Sequence, residues 1–181
     1  APRREQSAKM LIDSFLPEGI TSLAVDSIFM MPQLGVMANI DKKSIAEEAR
    51  VAALEVFEKD CLIRLGTCVA PVGSMSKSEV PLKINLEFKN GEKKSIDLQS
   101  GELIRIEVGY EEVKAELIPA KGINVGAGKG EKIDTIIFGG QVGLIFDGRG
   151  RPLDVGSDPN ERISNLKKWA SALNEYPEFK E

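Results

Sequence analysis

The chain has 181 residues, 42% of them hydrophobic and 29% charged, which is enough to bury an ordinary core as one large or two small domains and too apolar for disorder. Its net charge of −4 comes without the clustered Lys and Arg excess that nucleic-acid binding uses, so no nucleic-acid partner is expected. No run of eighteen apolar residues occurs, and Ala1-Pro2-Arg3-Arg4-Glu5-Gln6 leads into no signal-peptide core, so the expectation is a soluble, cytoplasmic protein with no membrane partner.

Histidine is absent from the sequence. A Ser-His-Asp triad, a Cys-His pair, a His-ligated metal and a histidine ligand to a corrinoid cobalt are therefore excluded within this chain. Cys61 and Cys68 are the only cysteines, too few for a structural zinc site or a disulfide framework, and they read as buried free thiols. On these grounds no catalytic, cofactor-binding or metal-binding residue is assigned.

In chain order, Gln6 to Leu16 predicts a short amphipathic helix with Leu11, Ile12, Phe15 and Leu16 on one face, stopped by Pro17-Glu18-Gly19. Ser22 to Met31 reads equally as a strand or a short helix before Pro32 and Gly35. Asp41 is a plausible N-cap for a helix over Lys42 to Asp60, with Ile45, Ala49, Ala52, Ala53, Val56 and Phe57 on its apolar face. Gly66 to Ser78 then changes composition and marks a boundary. The expected organisation is a mainly helical segment over residues 1–73, an antiparallel β domain over 74–155 and a C-terminal helix over 156–181.

From Val80 the hydrophobic period becomes two: Leu82, Ile84, Leu86 and Phe88 alternate with Lys83, Asn85, Glu87 and Lys89, the pattern of a half-buried strand. Asn90-Gly91 predicts a tight hairpin into a partner strand over Ser95 to Leu98. Leu103 to Val108 and Val113 to Ile118 continue the alternation, so the fold class is α+β with an antiparallel sandwich or barrel. Gly126-Ala127-Gly128-Lys129-Gly130 has neither the spacing of a phosphate loop nor a helix after it, and reads as an inter-strand loop.

The stretch Gly139 to Leu153 combines two strand-like runs, Thr135 to Phe138 and Val142 to Phe146, around Gly139-Gly140, a common hairpin signal. Asp147-Gly148 predicts a sharp reversal after the second run, holding Arg149 and Arg151 out on a stiff loop. They are either solvated turn charges or, with Asp147, a partner-binding surface. Asp158-Pro159 opens a last helix whose stripe is Ile163, Leu166, Ala170 and Leu173. Trp169 beside that stripe either packs the helix down or stacks on a ligand.

Three blocks carry a family resemblance: Leu23 to Val36, then Asp60 to Thr67 with Ala70-Pro71-Val72-Gly73, and Val142 to Leu153. They resemble the C-terminal part of the longer members of the glutamate mutase accessory family, GlmL or MutL, which is unrelated to mismatch repair. The resemblance covers nearly the whole chain, including Trp169-Ala170 to Tyr176-Pro177. It implies a relative of the actin, sugar-kinase and heat-shock ATPase superfold that helps adenosylcobalamin-dependent mutases exchange a damaged cofactor. The phosphate-binding hairpin and adenosine motif of that superfold have no counterpart in this sequence, so ATP and magnesium are expected only in a longer protein.

Under that resemblance the first part, about Leu23 to Leu65, completes an ATPase-like fold, and the whole is a non-catalytic interaction module. Its expected partners are the mutase subunits and its own preceding ATPase domain. The competing expectation is an independent enzyme or ligand-binding protein whose β domain encloses a small molecule.

Overall fold

The computed structural model of the protein describes residues 3–38, 46–74 and 80–176. The chain divides into two compact units, one formed by residues 1–23 with 65–181 and the other by Ala24–Arg64. The sequence-based boundary after residue 73 does not coincide with this division. The strands before and after the helical insertion are neighbours in one sheet, which ties the start of the chain to its second half.

The larger unit begins with α1 (Arg4–Phe15), which buries Ala8, Lys9 and Ile12. The apolar face is thus rotated from the predicted one, and Phe15 is exposed. Leu16 adopts a left-handed conformation (φ 45°) that ends the helix before Pro17. Then follow β1 (Gly19–Asp26), β2 (Leu62–Ala70), β3 (Leu82–Glu87), β4 (Lys93–Leu98), β5 (Leu103–Ile106), β6 (Glu112–Pro119), β7 (Ile133–Phe138) and β8 (Gly143–Asp147). One four-stranded sheet has the order β1-β2-β8-β5 and the other β4-β3-β6-β7. The architecture is α+β with two antiparallel-rich sheets, and neither strand order closes on itself.

The β3–β4 hairpin forms as the alternation and Asn90-Gly91 predict, with Leu82 paired to Leu98 and Glu87 to Lys93. Leu82, Ile84 and Leu86 on β3, with Val113 and Leu117 on β6, share one core with Val69, Leu144 and Phe146 of the other sheet. The space between the sheets is filled with these side chains.

The predicted hairpin at Gly139-Gly140 does not form: β7 and β8 lie in different sheets. Successive amides change partners at this point. Gly139 donates to Glu111 O at 2.9 Å and Gly140 to Val108 O at 3.0 Å, whereas Val142 donates to Leu65 O at 2.8 Å, so the chain steps across to the other sheet. There β8 pairs with β2 in parallel, with Gly66 opposite Gly143, and with β5 in the antiparallel sense.

The smaller unit holds α2 (Met31–Ala38), α3 (Ala46–Val56) and a π-helical turn (Phe57–Cys61). Its core is Leu34, Ala53 and Cys61, with Met30 and Phe57 packed against them. The sequence left Ser22 to Met31 open between strand and helix. It is the end of β1 followed by a turn in which Asp26 accepts from the amides of Ile28 at 3.2 Å and Met31 at 2.8 Å. The proposed N-cap Asp41 lies outside the described residues. Of the predicted apolar face of α3, Ala53 is buried, Ala49 and Phe57 are half-buried, and Ala52 and Val56 are exposed.

Strands β2 and β8 face each other through glycine, Gly66 opposite Gly143. A Cβ built on Gly66, which has φ +142°, would stand 1.8 Å from Gly143 O, and one on Gly143 would stand 2.1 Å from Ile106 O. Three neighbouring strands therefore meet through bare backbone. Gly66→Ala is expected to lower stability by about 3 kcal/mol or more, since strain and overpacking each contribute on the order of 1–3 kcal/mol. Urea unfolding checks this, and a change within about 0.5 kcal/mol of the unsubstituted protein contradicts the close approach.

Candidate functional site: the buried Asp147–Arg149–Arg151 loop

The segment that follows β8 contains the most site-like charges of the sequence, and it is built inward. Asp147, the last residue of β8, is fully buried. Arg149 donates to it through two bonds, Nε to Oδ1 and Nη2 to Oδ2, each 2.8 Å, and Arg151 Nη2 donates to Oδ2 at 3.0 Å. A fork-on-fork pair of this kind is the strongest arrangement open to a guanidinium and a carboxylate. The Arg149 amide also donates to Asp147 Oδ1 at 3.1 Å, so the carboxylate fixes both the turn and the side chain it folds back.

The remaining donors reach the start of the chain. Arg149 Nη1 donates to Asp13 Oδ1 on α1 at 2.8 Å, and Asp13 is also paired with Lys9. Arg151 donates through Nε and Nη2 to Pro17 O at 3.1 and 2.9 Å, gripping the turn between α1 and β1, and through Nη1 to Gly150 O at 2.9 Å. The Arg151–Pro152 peptide is cis.

The third contact is with the C-terminal helix, α4 (Pro159–Ala172). Asp158 caps it as the sequence predicts, accepting from the amides of Asn160 at 2.8 Å and Glu161 at 3.1 Å. The second half of the expected stripe holds, with Leu173 buried and Ala170 half-buried, whereas Ile163 and Leu166 are exposed and Trp169 beside the stripe is buried. Trp169 takes the central place because the Arg149 guanidinium lies 5.0 Å from its ring centre, a cation–π distance, and its indole N–H donates to Gly101 O at 3.0 Å. Its packing role is the one the structure displays.

The expectation that Arg149 and Arg151 project as free charges is therefore corrected. Their side chains are 0% and 5% exposed, because two guanidiniums on one buried carboxylate satisfy it fully. At the predicted reversal the positive φ falls on Gly150 (+87°) and not on Gly148, where a Cβ would stand 2.4 Å from Gln99 O. Space, rather than backbone handedness, requires glycine there.

Sequence reasoning missed Asp13, Pro17 and Arg105. Arg105 on β5 donates to Val142 O at 2.8 Å and Leu173 O at 3.1 Å and approaches Glu5 of α1 at 3.6 Å, a second internal tie between both terminal helices and the sheet. The Lys9–Asp13 spacing on a helix was the available signal, and it does not reveal a partner 136 positions away.

Burial by itself would push the Asp147 carboxyl up; the Arg149 and Arg151 guanidiniums outweigh this and hold it below the usual carboxylate range. Burial, reinforced by the Asp147 charge, pushes the nearby Cys68 thiol up to about 12, which makes it inert as a nucleophile near neutral pH. Among the described residues, no group of three or more His, Cys, Asp and Glu is placed to hold a metal ion. In the Gly-rich loop, the amides of Gly126 and Gly128 donate to Asn124 Oδ1 at 2.8 and 3.0 Å, so the chain's own side chain occupies them.

A polar cleft of about 430 Å³ opens beside the loop, lined among others by Gly101, Arg149, Gly150, Pro152, Lys168 and Trp169. With the guanidinium donors directed at Asp147, Asp13 and Pro17, this arrangement can position the cleft rim and carry mixed charge from Asp154, Glu161 and Lys168. No helix among the described residues is long and apolar enough to cross a membrane.

Asp147→Asn leaves two buried guanidiniums short of a counter-charge, and is expected to cost about 3–5 kcal/mol. The pH dependence has a definite sign. A carboxyl held low in the folded state adds stability above its unfolded value of about 3.9, and that stability disappears as pH falls through the folded value. Unfolding free energies measured from pH 7 downward should therefore fall more steeply below about pH 4 in the unsubstituted protein than in Asp147→Asn. Equal acid limbs contradict the pairing. Compared with protein-family models, curated proteins and solved structures, the chain has no match.

Proposed function

We propose that this chain is a non-catalytic interaction module of an accessory factor for adenosylcobalamin-dependent carbon-skeleton mutases of the glutamate mutase kind. ATP and magnesium belong, in this reading, to a preceding ATPase-like domain of a longer protein. The observation that carries it is where the three resembling blocks fall. The first block holds the end of β1 and runs on into α2, the second holds most of β2 and the third holds β8, so their strand portions are consecutive neighbours in one sheet, which supports reading them together.

Asp147, Arg149 and Arg151 act in this proposal as positioning residues. Their charges are neutralised internally, and they hold the rim of the cleft, which offers Lys168 and Asp154 to mutase subunits. Rim charges of this kind chiefly set encounter and register and contribute little to the stability of the chain that carries them.

Lys168→Glu tests the reading, because Lys168 is exposed on α4. Binding of the chain to a purified mutase carrying inactivated cobalamin is to be measured by surface plasmon resonance. The expected result is a several-fold weaker association for Lys168→Glu with unfolding free energy kept within about 0.5 kcal/mol. No association of the unsubstituted chain with the mutase, in active or inactivated form, overturns the proposal.

A further inference from the structure

A helix that is apolar all round belongs in an interior, and an amphipathic one turns its apolar side inward. The smaller unit, Ala24–Arg64, departs from both rules. Helix α2 carries no charged residue, yet Met31 and Val36 are exposed on it, and Leu34 is the one it places in the unit's core among the described residues. Helix α3 places Ala53 in the core and leaves Val51 and Leu54, three positions apart on one face, exposed. The buried core of the unit, Leu34, Ala53 and Cys61, is thus smaller than the set of large apolar side chains it shows to solvent.

The turn into α2 adds an aromatic to this surface. Phe29 is 75% exposed and holds a left-handed backbone (φ 59°), a costly conformation for a bulky residue. Asp26 fixes the turn by accepting from the amides of Ile28 and Met31 on either side of it. Phe29 takes no part in the unit's core, and an aromatic held out in this way suits an anchor for a partner.

Carboxylates surround the stripe on α3. Glu47, Glu48 and Glu55 lie three or four positions from Val51, within reach of whatever covers it. Over residues 46–61 five carboxylates stand against two cations, Arg50 and Lys59. Each of these cations lies 4.0 Å from a glutamate, whereas Glu48 and Glu58 have no cation paired with them among the described residues.

We propose that α3, with α2 packed against it and Phe29 just before α2, receives a cationic amphipathic helix of a partner protein. The apolar side of that helix covers the stripe of Val51 and Leu54, and its lysines or arginines meet the glutamates. The same carboxylates disfavour an anionic lipid surface as the cover. This inference does not rest on the proposed function, which uses the cleft of the larger unit.

The probe is a designed leucine–lysine amphipathic helical peptide, with the leucine–glutamate peptide of the same pattern as its control. Each is titrated against the full chain by fluorescence anisotropy. The lysine peptide is expected to bind about ten-fold more tightly or better. Val51→Ser with Leu54→Ser, or Phe29→Ala, should weaken it several-fold without lowering the unfolding midpoint, since these side chains are exposed. Glu48→Lys with Glu58→Lys should weaken it by a similar factor, whereas the same change of net charge on the larger unit, Glu92→Lys with Glu111→Lys, should not. Equal binding of the two peptides, no binding of either, binding untouched by the α3 and Phe29 variants, or a loss that follows net charge wherever it is placed overturns the proposal. So does self-association of the unsubstituted chain in sedimentation that Val51→Ser with Leu54→Ser abolishes, since a second copy is then the occupant.

Discussion

A carboxylate with no exposure to water has to be matched by charge, and Asp147 is matched twice, by Arg149 and Arg151. An unpaired buried ion costs several kcal/mol, so the segments that supply these guanidiniums and accept their remaining donors cannot leave independently. Those segments are the end of β8, α1 through Asp13, the turn at Pro17, and α4 through Trp169. A net of bonds around one atom pair thus fixes where the beginning and the end of the chain dock on the sheet. Ion pairs of this kind set geometry more reliably than they add stability, and positioning is the role given to them here.

The glycine crossing explains why the sheet has room for that arrangement. With Gly66 opposite Gly143, β2 and β8 run parallel at close approach, and this brings the loop after β8 to the same end of the sheet as the turn before β1. A side chain at either glycine would separate the strands that the buried network requires to be neighbours. The polar cleft sits at this end of the unit, with its rim held from beneath by Arg149 and Arg151.

How much was legible in the sequence depended on how local the cause was. The β3–β4 hairpin was legible because the period of two and the Asn-Gly turn act within a dozen residues. The cap of α4 was legible for the same reason, since Asp158 acts on amides two and three positions ahead. Gly139-Gly140 failed as a hairpin signal because the same dipeptide serves equally well where a chain changes sheets, and only the distant acceptors Glu111, Val108 and Leu65 decide between the two. The arginines failed for a related reason. Charges beside a turn are usually solvated, and what buries these is Asp13 and Pro17, more than 130 positions earlier. On α4 the buried face extends to Trp169, beside the predicted stripe, because a cation beneath the indole changes which face is worth burying.

Arg149 ties the loop after β8 to α1 through Asp13, and a double-mutant cycle on Asp13 and Arg149 tests that tie most directly. Unfolding free energies of Asp13→Asn, Arg149→Met and the double variant give the coupling between the two side chains, free of what each contributes elsewhere. A coupling of about 1 kcal/mol or more, with the double variant less damaged than the sum of the singles, is the predicted result. Additivity within about 0.3–0.5 kcal/mol would contradict it, because it would mean that α1 docks without the loop.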